Sequence, residues 1–264
     1  YGSYSYRTRY FADPVNPVTG NFSMALTDIS VPEPGPDMVF ARAYNSQSTL
    51  SGSMGPKWVH SWETHLVLPV ASEVGSFELH WGDGRIDTFK QGGNGAFTAA
   101  AGSFITMATV ENGYAATTKD GVVYTFASDG HLVSVKDRNG NTLTVTTNNN
   151  GDVTRVEDTA GRSLSFAYTG GKLTSVKDPM NKTWSFTYSG AGDLIRATAP
   201  TGASVQYTYS IDHLIETAID ALGITTVSNE YDAHQRIVKQ TDAAGQVTTF
   251  TYESASKRTT VRDP

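Results

Sequence analysis

The carboxylates are the first residues to test for chemistry. Asp152, Glu157 and Asp158 lie close together in the chain. A glycosidase holds two carboxyl groups across one substrate at about 5–10 Å. These three spread over two turns and a strand, and no catalytic pair stands out from the other acidic residues. The six histidines, His60, His65, His80, His131, His213 and His234, show no His-Glu-x-x-His and no adjacent carboxylate pattern, so they read as surface or packing residues. Asn148–Asp152 is rich in Asn and Asp but lacks the alternate acidic ligands of a calcium loop. Gly82-Asp83-Gly84-Arg85 contains Gly-x-Gly without a following helix, which removes a nucleotide reading and leaves a hairpin signal. No Gly-x-Ser-x-Gly elbow and no phosphate loop is present. Trp58, Trp62 and Trp81 could form a sugar-stacking platform if exposed; their clean alternation on strands reads instead as packed aromatic core. No catalytic, cofactor-binding or metal-binding residue is assigned, and neither a cofactor nor an enzymatic role is expected.

What must position these residues is a repeat. From Tyr124 to Pro264 the chain repeats roughly every 21 residues on an acidic residue and a following Gly: Asp137 and Gly140, Asp158 and Gly161, Asp178 with Asn181 in the Gly slot, Gly202 with Ala199 in the Asp slot, Asp220 and Gly223, Asp242 and Gly245. Between these marks runs an aromatic pair, Phe166 and Tyr168, Phe186 and Tyr188, Tyr207 and Tyr209, Phe250 and Tyr252, with Tyr231 keeping the second member alone. An aliphatic pair follows, such as Leu132 and Val135, Val153 and Val156, or Leu173 and Val176. One unit therefore reads as strand, Gly/Asn turn, strand, Asp-x-x-Gly turn. Residues i and i+2 of a strand project together, so the aromatic pair predicts a ladder of rings on one face. The Asp carboxylates are expected to bond the turn backbone and to be structural.

The totals fit an all-β chain. There are 264 residues, 38% hydrophobic, with plentiful Gly, Ser, Thr and Asn; Thr, Val, Tyr and Phe favour strands. Only short stretches such as Ala96–Ala101 could sit on a helix face. Net charge is −6 with 17% charged residues, which argues against nucleic acid and an anionic membrane surface. No apolar run is long enough for membrane insertion, and no stretch pairs a basic n-region with an apolar h-region. Zero Cys excludes disulfides and thiolate metal sites. The start at Tyr1 and the last unit, cut off at Asp263, read as a piece of a longer protein.

The front of the chain has no period. Tyr1–Tyr10 alternates like an edge strand; Asp13–Asn21 is a turn with two prolines; Phe22, Met24 and Leu26 alternate. Val31–Pro36 is a Pro-rich loop, Met38–Tyr44 a strand, and Asn45–Gly55 a polar loop. Gly55–Leu68 reads as one strand, with Trp58, His60, Trp62 and Thr64 on one face and His65 on the other. Phe77, Leu79 and Trp81 make the next strand. Composition changes little at residue 120, so the sequence predicts a front β domain over 1–120 and six to seven repeats over 121–264, in one continuous sheet system.

On these residues the chain resembles the Rhs, or YD-repeat, family. The repeats carry its turn, Leu, Val and Asp pattern at Asp129–Asp137, Asn150–Asp158 and Gly171–Asp178. The front half looks like the domain that commonly opens the family's shell, through Asp13–Asn21, Arg42–Ser46, Gly55–Ser61 and Asp83–Phe89. The Tyr-Asp pair itself survives only at Tyr231-Asp232. The family's autoproteolysis motif and toxin segment lie outside these residues.

The resemblance implies a β-sheet strip that spirals into a hollow cocoon around a toxic C-terminal segment. It implies the remaining shell and that toxin as partners, with secretion-machinery or chaperone proteins, and a bacterial secreted or cell-surface location. The open strand edge after the last repeat could pair with another copy. Two other readings stay open: an adhesin or carbohydrate-binding β module, and a self-assembling filament subunit.

Overall fold

Alternation, β-branched residues and closely spaced turns give strands nearly everywhere. The computed structural model describes residues 15–32, 34–69, 76–253 and 255–264. The expected edge strand Tyr1–Tyr10 and the first two residues of the Asp13–Asn21 turn fall outside them. The front half contributes β1 (Ser23–Val31), β2 (Met38–Asn45), β3 (Ser51–Gly52), β4 (Gly55–Pro56) and β5 (Trp58–His60). A 3-10 turn (Ser61–Glu63) follows, then β6 (His65–Val67), β7 (Ser76–His80), β8 (Ile86–Gln91) and β9 (Phe97–Ala99). Of Ala96–Ala101, a stretch that could have sat on a helix face, Phe97–Ala99 is a strand, and the described residues contain no α-helix.

The next sixteen strands are β10 (Thr106–Val110), β11 (Gly113–Thr117), β12 (Val123–Ala127), β13 (Leu132–Lys136), β14 (Thr142–Thr147), β15 (Val153–Glu157), β16 (Ser163–Thr169) and β17 (Lys172–Lys177). They continue with β18 (Thr183–Tyr188), β19 (Leu194–Thr198), β20 (Ser204–Tyr209), β21 (Ile215–Ile219), β22 (Thr225–Tyr231), β23 (Ile237–Asp242), β24 (Val247–Glu253) and β25 (Arg258–Arg262). They form one antiparallel sheet in strict chain order, β10 first and β25 last. The sheet thus starts ahead of the residue-121 boundary that the motif pattern marks. The front half does not continue this sheet, as a single sheet system would require. It forms three smaller ones, ordered β1-β2-β5, β3-β4 and β6-β7-β8-β9.

Two compact units divide the chain. One holds 1–24, 44–58 and 185–264; the other holds 25–43 and 59–184. Each combines front segments with repeats.

The turns follow one rule. In the Asp-x-x-Gly turns the amide of Asp137 donates to the Asn141 carbonyl at 3.0 Å, and the Gly140 amide donates back to the Asp137 carbonyl at 3.3 Å. The same two bonds recur from Asp158, Asp178, Ala199, Asp220 and Asp242, and equally from Ala127, Asn148, Ser189, Ser210 and Asp232 in the turns between them. This is the three-residue hairpin loop that needs its last residue in the left-handed region. Gly140 sits there at φ 89°, and Asn181 fills the slot at φ 63°.

Gly55–Leu68 is not one strand. The His60 side chain accepts from the Trp62 amide at 3.2 Å, and the Glu63 carboxylate accepts from the His60 amide at 3.0 Å. This reciprocal capping closes a 3-10 turn and breaks the strand. The face assignment of Trp62, Thr64 and His65 fails with it.

Candidate functional site

The unit with 25–43 and 59–184 shows how the Asp turns act. Asp158 accepts from the Ala160 and Arg162 amides, both at 2.8 Å, and from Arg162 Nε at 2.7 Å. Asp137 holds the Asn139 and Asn141 amides at 2.8 and 2.9 Å and the Asn141 side chain at 2.8 Å. The Asn141 amide bond, assisted by these backbone donors, holds the Asp137 carboxyl below the usual range. The oriented Arg162 and Asn141 side chains then reach the front loop, donating to the carbonyls of Pro32 at 3.3 Å and Pro34 at 3.5 Å. Asp178 uses the same turn contacts, accepting from the Met180 and Lys182 amides at 2.8 Å.

Behind these turns lies a sealed aromatic layer. Phe40 packs against Phe166 at 6.0 Å between ring centres, and His60 stacks on Phe166 at 6.0 Å. Burial pushes the His60 imidazole down, toward its neutral form, against the pull of the Glu63 and Asp152 carboxylates. On β2, Met38, Phe40, Arg42 and Tyr44 all turn inward. Arg42 is 3% exposed and meets Asp28 at 2.5 and 3.0 Å. Trp81 donates to Asp87 at 2.6 Å, carries the Arg85 guanidinium over its ring, and meets Tyr124 edge-on at 5.0 Å.

In the other unit the front segment 44–58 docks on the repeats from 185 onward. Trp58 contacts the Tyr207 ring at 5.4 Å and donates its indole N–H to the Tyr209 hydroxyl at 3.0 Å. The Tyr44 hydroxyl donates to the His213 carbonyl at 3.0 Å and accepts the Ile215 amide at 3.1 Å. Burial drives the Tyr44 phenol well above its usual value; the Ile215 amide opposes this and Asp193 adds to it. Lys57 donates to the Ser46 carbonyl at 2.8 Å and to the Gln235 side chain at 3.3 Å, and burial lowers its ammonium. The Ile237 amide donates to the Gly20 carbonyl at 2.9 Å.

The aromatic pairs divide into two kinds of residue. The first members Phe166, Phe186, Tyr207 and Phe250 are buried. A bulge separates the pair at Ala167/Tyr168, Thr187/Tyr188 and Thr208/Tyr209. The second members sit half-buried and reach the opening residue of the preceding strand. Tyr168 donates to the Val153 carbonyl at 2.9 Å, Tyr209 to Leu194 at 2.6 Å, Tyr231 to Ile215 at 2.9 Å, and Tyr252 to Ile237 at 2.7 Å. In the slot before Tyr231, a buried Asn229 replaces the ring and bonds Ile215 and Gln240. Burial raises the Tyr209 and Tyr231 phenols, so they remain donors at neutral pH.

The three tryptophans offered as a sugar platform are all interior: Trp58 is 0% exposed, Trp62 6% and Trp81 8%. Trp58 packs between the Tyr44 and Tyr207 rings, and Trp81 meets Tyr124 edge-on with Arg85 over its ring. Among the described residues no three His, Asp or Glu side chains are grouped to hold a metal ion, and no helix is long and apolar enough to cross a membrane. Sequence reasoning missed Arg42, Asp28 and Tyr44. Arg42 and Tyr44 were visible as inward positions of an alternating strand; their partners were not.

Three family models cover most of the chain. A domain of unknown function, DUF6531, matches residues 12–89, the teneurin YD-shell matches 107–226, and the RHS repeat matches 231–264.

The chain belongs to the Rhs/YD-repeat family.

Its sixteen-stranded sheet is YD-shell material, and the part it plays is that of a structural shell wall. No curated protein matches the chain. Among solved structures it is similar to the TcdB2-TccC3 crystal structure, at 13% identity and TM-score 0.44, over 89% of this chain and 16% of that one. It is also similar to TcdB2-TccC3-TEV, at 13% and 0.42 over 86% and 14%, and to the Photorhabdus luminescens Tc holotoxin pore, at 11% and 0.34 over 94% and 15%. The YD-repeat chain thus spans about a seventh of the length of these structures.

Proposed function

We propose that this chain is one section of the wall of an Rhs-type shell that encloses a toxic C-terminal polypeptide of the same protein until delivery. The observation that carries this reading is the order of the repeat sheet. Strands β10 to β25 lie in chain order, and each joins the next by a short turn. Such a strip lengthens by adding hairpins, as a wall does, and its side chains serve turns and packing. Its action would be steric: a paired sheet keeps proteases out and holds a cargo away from its targets. The section itself would catalyse nothing. Its partners would be the remaining shell and the enclosed toxin, with secretion-machinery or chaperone proteins at delivery, and its place would be secreted or at the bacterial surface. The outer edge of β25 would take the next strand of the shell, or another copy where that strand is missing. A sugar-stacking platform of Trp58, Trp62 and Trp81 would need exposed rings, and these are buried, which leaves an adhesin only loop tips such as Asn45–Gly55.

The test is limited proteolysis of the full-length protein. The C-terminal segment should survive protease levels that digest the same segment expressed alone, and should become sensitive when the wall is unfolded in urea. Equal digestion of the free and shell-linked segment, with the wall intact, would sink the reading.

A further inference from the structure

In the unit with 25–43 and 59–184, three histidines stand in a row on neighbouring strands. His65 on β6 pairs with His80 on β7, their rings 4.9 Å apart. On its other side His65 forms a β-bridge to His131, at the entry to β13. The row lies where the four-stranded front sheet joins the repeat sheet. Beside it the Leu66 amide donates to the Gly130 carbonyl at 2.8 Å. We infer that His65, held between His80 and His131, is a proton-sensitive latch between the front sheet and the repeat sheet, closed while its imidazole is neutral and released on acidification.

Hydrogen bonds fix where a second proton would go. His65 Nδ1 is 2.7 Å from the Glu63 carbonyl, which only accepts, so Nδ1 carries the proton and Nε2 is the basic nitrogen. His80 Nε2 is 2.9 Å from Glu78, which leaves Nδ1 bare, buried and without a partner. A proton there would create a buried N–H with nothing to receive it. His131 Nδ1 meets Asp129 at 3.0 Å, and its Nε2 lies over Gly151, so close that a Cβ there would stand 2.0 Å away.

The charged groups around the row are unevenly shared. Glu78 faces His80 and Asp129 faces His131; the carboxylate that acts on His65 is that of Glu63, whose backbone rather than side chain it bonds. A charge on His65 would therefore sit between two other imidazoles. Burial lowers the His65 imidazole, the Glu63 carbonyl opposes this, and His80 and His131 repel a proton further. A histidine whose folded value is depressed stabilises the closed form above its unfolded value, about 6.5, and loses that contribution as pH falls below it.

Amide hydrogen exchange of this chain at pH 7.5 and 5.5 tests the latch. After correction for intrinsic rates, protection of the Leu66 amide should fall on acidification, by at most about tenfold per pH unit for one proton taken up on opening. Amides of the β20–β21 pair should not change. In His65→Asn, whose side-chain amide can still donate to the Glu63 carbonyl, the pH dependence should disappear. If that variant does not fold, the wild-type His65 imidazole resonance serves instead: it should titrate below the range of a free histidine, in step with Leu66 exposure. Unchanged Leu66 protection at pH 5.5, or full pH dependence in His65→Asn, overturns the latch.

Discussion

The Tyr209 hydroxyl donates to the Leu194 carbonyl at 2.6 Å while accepting the Trp58 indole N–H at 3.0 Å. Ladder pairing between β19 and β20 stops at Arg196 and Gln206, so Leu194 lies beyond it. The same short pairing, three residue pairs, is seen for β15–β16 and β23–β24, and there too a tyrosine spans the opening. The tyrosine hydroxyl thus donates to a carbonyl that lies past the end of the ladder.

Removing that hydroxyl should therefore cost more than one exposed hydrogen bond. Tyr209→Phe leaves both the Leu194 carbonyl and the Trp58 N–H without this partner, a loss of about 2 kcal/mol. The measurement is the urea midpoint. An unchanged midpoint would mean that neither bond matters.

Arg42 is buried and Asp28 is its carboxylate. Asp28→Ala should destabilise by about 3 kcal/mol, because the buried guanidinium loses this carboxylate. Replacing both together, Asp28→Leu with Arg42→Met, should recover most of the loss in the same denaturation experiment. A double variant as unstable as Asp28→Ala would contradict this account.

Two glycines with positive φ separate backbone strain from crowding. At Gly245, φ 77°, a Cβ would meet nothing within 4 Å, so Gly245→Ala carries only the left-handed penalty of about 1–2 kcal/mol. At Gly55, φ 100°, a Cβ would stand 2.4 Å from the Gly192 carbonyl oxygen. Gly55→Ala should lower the melting temperature clearly more than Gly245→Ala; equal shifts would show that the two backbones give way freely.

Burial pushes the Tyr252 phenol up to about 12, although the Arg236 guanidinium over its ring pulls the other way. A raised folded value means its contribution is whole below about pH 10 and is lost as pH rises toward 12. Stability measured across that window should fall, and Tyr252→Phe should flatten the fall.

Acid acts through the turns. The Asp137 and Asp120 carboxyls are held low, first by the Asn141 amide and the Thr118 hydroxyl respectively. Their contribution is present above the ordinary Asp range and disappears as pH falls through the lowered values, below about 4. The urea midpoint should drop there, and less steeply in Asp137→Asn.

Much of the repeat sheet was legible because its signals are local. The aliphatic pairs Leu132 and Val135, Val153 and Val156, Leu173 and Val176 are all buried, and the Asp-to-Gly spacing marks turns with shared geometry. The intervening turns were harder to read, because His213 and Gln235 occupy left-handed positions where a Gly would have signalled them. The His60–Glu63 capping was hidden for a similar reason: His stands where Ser or Thr would have announced it. Contacts such as Trp58 with Tyr209 join residues 151 apart, and no spacing rule reaches that far.

That distance also sets an order of events during synthesis. Each hairpin from β10 to β25 can close as soon as its own residues leave the ribosome, since every ladder partner is the adjacent strand. Tyr44 and Trp58 are made early but must wait for Ile215 and Tyr209. Segment 44–58 therefore keeps these aromatic side chains uncovered while the intervening residues, 151 from Trp58 to Tyr209, are made, a window in which aggregation competes with docking.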